Sequence, residues 1–176
     1  MSRLLILLVA LLPLPVLALD CPFVPGKSLC GLPLDAGSAR FQAVLGEADG
    51  QLRMGGGRTG LLFGGHFLLV FRDDRVVRVH SWSKSSTEFL DSVGRDQRQS
   101  PVRLVLGDFS PWARSRQQVG LALQSIPPVS ADEFREHRLL PGAELVIDYA
   151  SASGDPHNLG EWTRFQVEQL RLTLER

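Results

Sequence analysis

Two cysteines, Cys21 and Cys30, and four histidines, His66, His80, His137 and His157, are the residues here best suited to nucleophilic or metal chemistry. His66 follows a glycine pair, and His80 stands in an alternating apolar run beside Arg78 and Trp82. Glu133, Glu136 and His137 fall in one short segment, and Asp155 precedes His157 by two residues. A zinc site needs His-x-x-x-His, His-Glu-x-x-His or thiolates at fixed spacing, and none of these patterns occurs. The Gly-x-Ser-x-Gly context of an activated serine is also missing. Paired carboxylates of the glycosidase kind meet only in three dimensions, and with 19 acidic residues some pair always looks plausible. The reading is a protein that is not an enzyme, with no cofactor and no metal ligands.

The cysteines carry a different message. They lie nine residues apart with Pro22, Pro25 and Gly26 between them, a compact loop that a disulfide would close. Such a bond implies an oxidising compartment, and the N-terminus agrees. Arg3 forms a short positive region, Leu4 to Leu12 is unbroken apolar sequence, and Val16-Leu17-Ala18 suits a signal peptidase. Residues 1–18 are therefore expected to be a cleaved signal peptide. The apolar run is too short for a spanning helix of about 20 residues. Asp20 stands where a lipobox needs a small residue, so no membrane insertion is expected after cleavage. Residues 19–176 then form a single exported, β-rich, soluble domain. Its basic residues number 18 against 19 acidic, a net charge of −1, which gives no support for nucleic-acid binding. The 44% hydrophobic and 22% charged composition is that of a folded globule.

The elements that would position any site centre on Thr59 to Trp82. Three Leu-, Val- and Phe-rich runs are separated by Gly64-Gly65 and Asp73-Asp74, the pattern of a three-stranded antiparallel meander. Asp49-Gly50 predicts a hairpin leading into a strand over Gln51 to Met54, and Gly55-Gly56-Gly57 reads as a hairpin tip. Ser38 to Leu45 fits either a short helix or a first strand. Ser85-x-x-Glu88 predicts a helix from about Ser86 to Val93. Strands are expected over Pro101 to Leu106, Gln117 to Ile126 and Glu144 to Tyr149. Ser130-x-x-Glu133 predicts a helical turn running to Leu140. In Glu161 to Glu175 the apolar phase changes between Val167 and Leu170, which a β-bulge near Glu168-Gln169 explains. The expected fold is mainly β: an antiparallel sandwich or curved meander sheet of about eight strands with one or two short helices.

One loop has the composition of a contact surface. In Gly107-Asp108-Phe109-Ser110-Pro111-Trp112, proline stiffens the backbone and lowers the entropy lost on docking. Phe109 and Trp112 are the residue types that anchor interfaces. Ser110 offers a small hydroxyl able to enter a narrow cleft, and Asp108 completes the candidate partner-binding set. The alternative is that both aromatics fold back to close one end of the core.

An exported, disulfide-stapled β protein with a serine-bearing Asp108-Phe109-Ser110-Pro111 loop and no catalytic motif resembles the periplasmic immunity proteins of Gram-negative bacteria. These neutralise peptidoglycan amidase effectors delivered by type VI secretion. The resemblance implies a periplasmic protein-binding inhibitor whose partner is a secreted cell-wall amidase, with Ser110 plugging the catalytic cleft. The second reading is an envelope-maintenance or outer-membrane assembly-type binding protein, which Leu34 to Asp49 followed by a meander loosely resembles.

Overall fold

The computed structural model describes residues 19–83, 102–112, 114–151 and 165–174. The expected helix at Ser86–Val93 and His157 lie outside these residues. Twelve strands and two helices are described. They are β1 (Leu19–Val24), β2 (Ser28–Leu29), β3 (Leu32–Pro33), α1 (Ser38–Leu45), β4 (Gly50–Met54), β5 (Arg58–Phe63), β6 (Phe67–Arg72) and β7 (Arg75–Trp82). There follow β8 (Val102–Leu106), α2 (Arg116–Ala122), β9 (Pro128–Ala131), β10 (Arg135–Leu140), β11 (Ala143–Ser151) and β12 (Phe165–Thr173).

The strands form two sheets. The larger has eight strands in the order β4-β5-β6-β7-β12-β11-β10-β9, and every neighbouring pair runs antiparallel. The smaller has the order β3-β2-β1-β8, with β1 and β8 parallel. The fold is thus mainly β, and the expected central meander is present. Its turns use Gly64 and Gly65 at φ 59° and 65°, and Asp73 and Asp74 at φ 51° and 57°. Asp and Gly are among the residues that tolerate this left-handed region.

The core lies between the inner face of the large sheet and the small sheet with α1. Phe63, Phe67, Leu69, Leu145, Ile147, Leu170 and Leu172 from the large sheet meet Phe23, Leu29, Leu104 and Phe41 in one buried cluster. The bulge expected in the last strand is present. Asp148 pairs with Gln169 and Tyr149 with Val167, leaving Glu168 as the extra residue. This resets the phase, so Val167, Leu170 and Leu172 all reach the core.

Two expectations are reversed. Residues 117–126 do not form a strand, because α2 occupies Arg116–Ala122. Ser115 and Gln118 close a reciprocal capping box, and Val119 and Leu123, four residues apart, are buried. Leu121, which made the sequence look alternating, is 63% exposed. The segment after Ser130 is not a helix but the β9–β10 hairpin. Asp132 Oδ1 accepts the Phe134 and Arg135 N–H groups, both at 2.9 Å, and so stabilises a turn. Glu136, Arg138 and Leu140 then alternate into the interior.

Helix α1 settles the choice left open for residues 38–45. Phe41 and Leu45 form its buried stripe, and Phe41 packs edge-on against Phe71 with ring centroids 5.8 Å apart. Its N-cap, Gly37, has no side chain to offer. Asp74, at the tip of the β6–β7 hairpin, substitutes for it: Oδ1 accepts from Ser38 N at 2.8 Å and from Ser38 Oγ at 2.7 Å. These bonds hold the Asp74 pKa below the ordinary carboxylate value.

Candidate partner-binding turn

The Cys21–Cys30 disulfide is formed, linking β1 to the residue that follows β2. Both cysteines are buried. The staple fixes β1, whose parallel partner β8 leads into the candidate loop, with Phe23 opposite Leu106.

After Leu106 the chain reverses tightly. Gly107 takes φ +60°, and Leu106 and Phe109 exchange backbone hydrogen bonds at 2.9 and 3.0 Å. Gly107 N also donates to Phe23 O at 2.9 Å. Asp108 and Ser110 are exposed, Phe109 is half-buried against the core, and Pro111 is buried.

Trp112 is not an outward anchor. It is 8% exposed, and its indole Nε1 donates to Leu104 O at 2.6 Å. Ser81 Oγ accepts from Leu104 N at 3.3 Å. The open edge of β8 is therefore satisfied at Leu104 by two side chains, one from the large sheet and one from the loop. This corrects the expectation for Trp112, and in part for Phe109. A wide apolar ring with one polar atom is best placed where its N–H meets an unpaired carbonyl in the interior. What remains at the surface is a short tip, Asp108 and Ser110, on a backbone held at both ends.

His66 and His80 belong to the large sheet and its turns. His80 is on the outer face of the large sheet, opposite Leu68 on one side and Arg171 on the other. It stacks on Trp82 with centroids 5.8 Å apart, and its Nδ1 is 3.4 Å from Gln169 Nε2. Burial, then the charges of Arg78 and Arg171, lower its pKa to about 4. His66 sits in the β5–β6 turn with Nδ1 3.4 Å from Trp82 O, and burial lowers its pKa as well. Among the described residues, no group of three or more His, Cys, Asp or Glu is arranged to hold a metal ion.

Glu136 belongs to a buried charge network that sequence reasoning missed. Arg138 Nη2 donates to Glu136 Oε2 at 2.7 Å, and Arg116 Nε to Oε1 at 3.0 Å. Arg138 Nη1 also donates to Leu123 O at 2.9 Å and to Ile126 O, carbonyls at and just beyond the C-terminal end of α2. Arg116 lies over the Tyr149 ring, 5.3 Å from its centroid. Burial, then the Glu136 charge, raise the Tyr149 pKa far above the ordinary phenol value, so this hydroxyl stays neutral. The network clamps α2 to β10, and the capping box at Ser115 was its one sequence signal.

No protein-family model matches the chain, and no curated protein matches it. Among solved structures it is similar to a cysteine-rich secretory protein from Staphylococcus aureus, at 11% identity and a TM-score of 0.48. The match covers 90% of this chain and 50% of the other, so the chain spans about half the length of that protein.

Proposed function

We propose that this chain is an extracytoplasmic protein-binding inhibitor that acts by steric occlusion, presenting the Asp108–Ser110 tip to its partner. The observation that carries this reading is how the tip is held. Hydrogen bonds from Gly107, Leu106 and Phe109 fix its backbone, and Trp112 is anchored beneath it, while Asp108 and Ser110 stay exposed. A turn ordered before binding loses little entropy on docking, the property that rigid inhibitory loops exploit. The disulfide and the leader-like residues 1–18 support a location outside the cytoplasm, and the immunity-protein resemblance points to the periplasm. That resemblance also supplies the partner class, a cell-wall amidase delivered by type VI secretion, with the Ser110 hydroxyl directed at its catalytic cleft.

The test is capture by immobilised residues 19–176, oxidised, from periplasmic extract and from a panel of peptidoglycan amidases. Ser110→Trp and Asp108→Arg serve as surface variants, because neither side chain is buried. The expected result is stoichiometric capture and amidase inhibition by wild type, lost in both variants at unchanged melting temperature. Capture undiminished in both variants would remove the tip from the reading. No capture at all would favour the envelope-maintenance alternative. Trp112→Ala is unsuitable here, since it opens the edge of β8.

A further inference from the structure

The outer face of the β5–β7 meander carries a row of arginines with no assigned role. Arg58 of β5 stands directly opposite Arg72 of β6, and Arg72 directly opposite Arg75 of β7. Like charges in register across a sheet destabilise it, so this row is a costly arrangement for the protein alone. Two of the guanidiniums also gather at one place. A Cβ built on Gly56 would stand 3.8 Å from Arg58 Nε and Nη2 and 4.0 Å from Arg72 Nη2, so both side chains reach over the Gly55–Gly57 turn. Arg58 Nε donates to Gly55 O at 2.9 Å, which fixes the plane of its fork. Gly56 and Gly57 take φ +72° and +69°, a backbone that glycine adopts without strain, and no side chain fills the space above it. Arg72 is engaged in a further interaction, whereas none of the ion pairs of the described residues falls on Arg58 or Arg75. The acids of the β6–β7 turn, Asp73 and Asp74, line the opposite side of the sheet with Leu61 and Phe71, and Asp74 is taken by Ser38.

We propose that this arginine row is an anion-binding site, with a phosphate monoester as the matching chemical class. Arg58 and Arg72 flank the space above Gly56, and their planar forks present paired N–H donors suited to phosphate oxygens. Arg72 serves the site together with its other interaction, because one guanidinium carries five donors. Arg75 adds its charge from the far end of the row. A dianion seated here offsets the repulsion among the three arginines more fully than a single carboxylate does. The glycines let it approach the backbone with no side chain in the way. The chain's basic and acidic residues balance at 19 each, so this is a local site and not a generally basic surface. It shares no residue with the Asp108–Ser110 tip and is independent of that reading.

The experiment is an NMR titration of oxidised residues 19–176 with inorganic phosphate, read at backbone amides and arginine Nε, with acetate at matched ionic strength as the monoanion control. The expected result is saturable shifts at Gly55, Gly56, Gly57 and Arg58 Nε, with acetate at least about tenfold weaker. Arg58→Gln should weaken phosphate binding about tenfold and the exposed Arg75→Gln several-fold, with the apo spectrum otherwise preserved. Arg53→Gln should leave it unchanged, because this exposed arginine of β4 stands opposite Thr59 on the other face. Co-sedimentation with phosphatidic acid vesicles, against phosphatidylcholine vesicles, distinguishes the source of the phosphate. Retention on phosphatidic acid that Arg58→Gln abolishes assigns a lipid headgroup, and saturable phosphate binding without retention assigns a soluble ester. No saturable shifts, an equal response to acetate, unchanged affinity in Arg58→Gln and Arg75→Gln, or equal weakening by Arg53→Gln would each overturn the proposal.

Discussion

Acid should destabilise this protein through one histidine on the outer face of its large sheet. His80 is enclosed by Leu68 and Arg171 across the neighbouring strands, by Trp82 and Arg78 along its own strand, and by Gln169. Its charged form is disfavoured by burial and by both guanidiniums, so its folded pKa is about 4 against 6.5 for the ordinary imidazole. The unfolded chain therefore binds the proton first. Stability from this group is intact above 6.5, falls as pH drops through the window, and levels off below about 4. Between about pH 7.5 and pH 5 the linkage relation gives a loss of roughly 2 kcal/mol, with a ceiling of about 3 kcal/mol at lower pH. His66 shifts in the same direction and adds to the trend.

The assay is urea unfolding of the oxidised protein at several pH values, followed by tryptophan fluorescence, for wild type and His80→Phe. Phenylalanine keeps a flat ring on Trp82 and cannot titrate. The variant should lose about 2 kcal/mol less than wild type on going from neutral to pH 5. Parallel curves for the two proteins, or an NMR titration of His80 centred near 6.5, would refute the reasoning.

The buried network makes a second prediction. Glu136→Gln removes the buried carboxylate charge that Arg116 and Arg138 share and should cost about 3–5 kcal/mol in the same unfolding assay. Arg138→Met should cost more than Arg116→Met, because Arg138 is the more buried and satisfies the Leu123 and Ile126 carbonyls near the end of α2, while Arg116 donates to the Glu133 carbonyl. The third concerns α1. A Cβ at Gly37 would lie 2.2 Å from Asp74 Oδ2, so Gly37→Ala must displace the carboxylate that caps the helix. It should cost about 1 kcal/mol, as should Asp74→Ala. The double variant should cost little more than either alone, which a double-mutant cycle measures directly.

The parts of the fold that were legible in the sequence are those where local chemistry and burial agree. In the β5–β7 meander, apolar runs are punctuated by residues that accept positive φ, so turns and strands predict one another. The bulge was legible too, since the apolar phase can slip within a strand only if one residue leaves the ladder. Legibility failed where charges went inside. Glu136 and Arg138 occupy core positions of β10, so its binary pattern appears polar, and the nearby Ser130-x-x-Glu133 matched a helix start by accident. In α2 the residues at 119, 121 and 123 satisfy a two-residue period and a four-residue one together, and only the Ser115–Gln118 cap separates them. Strand β1 was hidden because its partner, β8, lies about 80 residues away and the segment carries cysteine and proline. At the candidate loop, the sequence named the residues but not their directions. The unpaired Leu104 carbonyl that draws Trp112 inward exists only once β8 has become an edge.

The position of β12 in the large sheet has a consequence for how the chain reaches this structure. The last strand described is not at an edge but in the middle, with β7 on one side and β11 on the other. It pairs residues 169–173 with residues 78–82 and, among the described strands, is the one that joins the β4–β7 half to the β9–β11 half. Until it is in place, two hairpin stacks each present a long unpaired edge, and the core beneath them has no roof. The two halves are built from local contacts, whereas joining them through β12 requires pairing over a long sequence separation, the kind of contact that forms slowly.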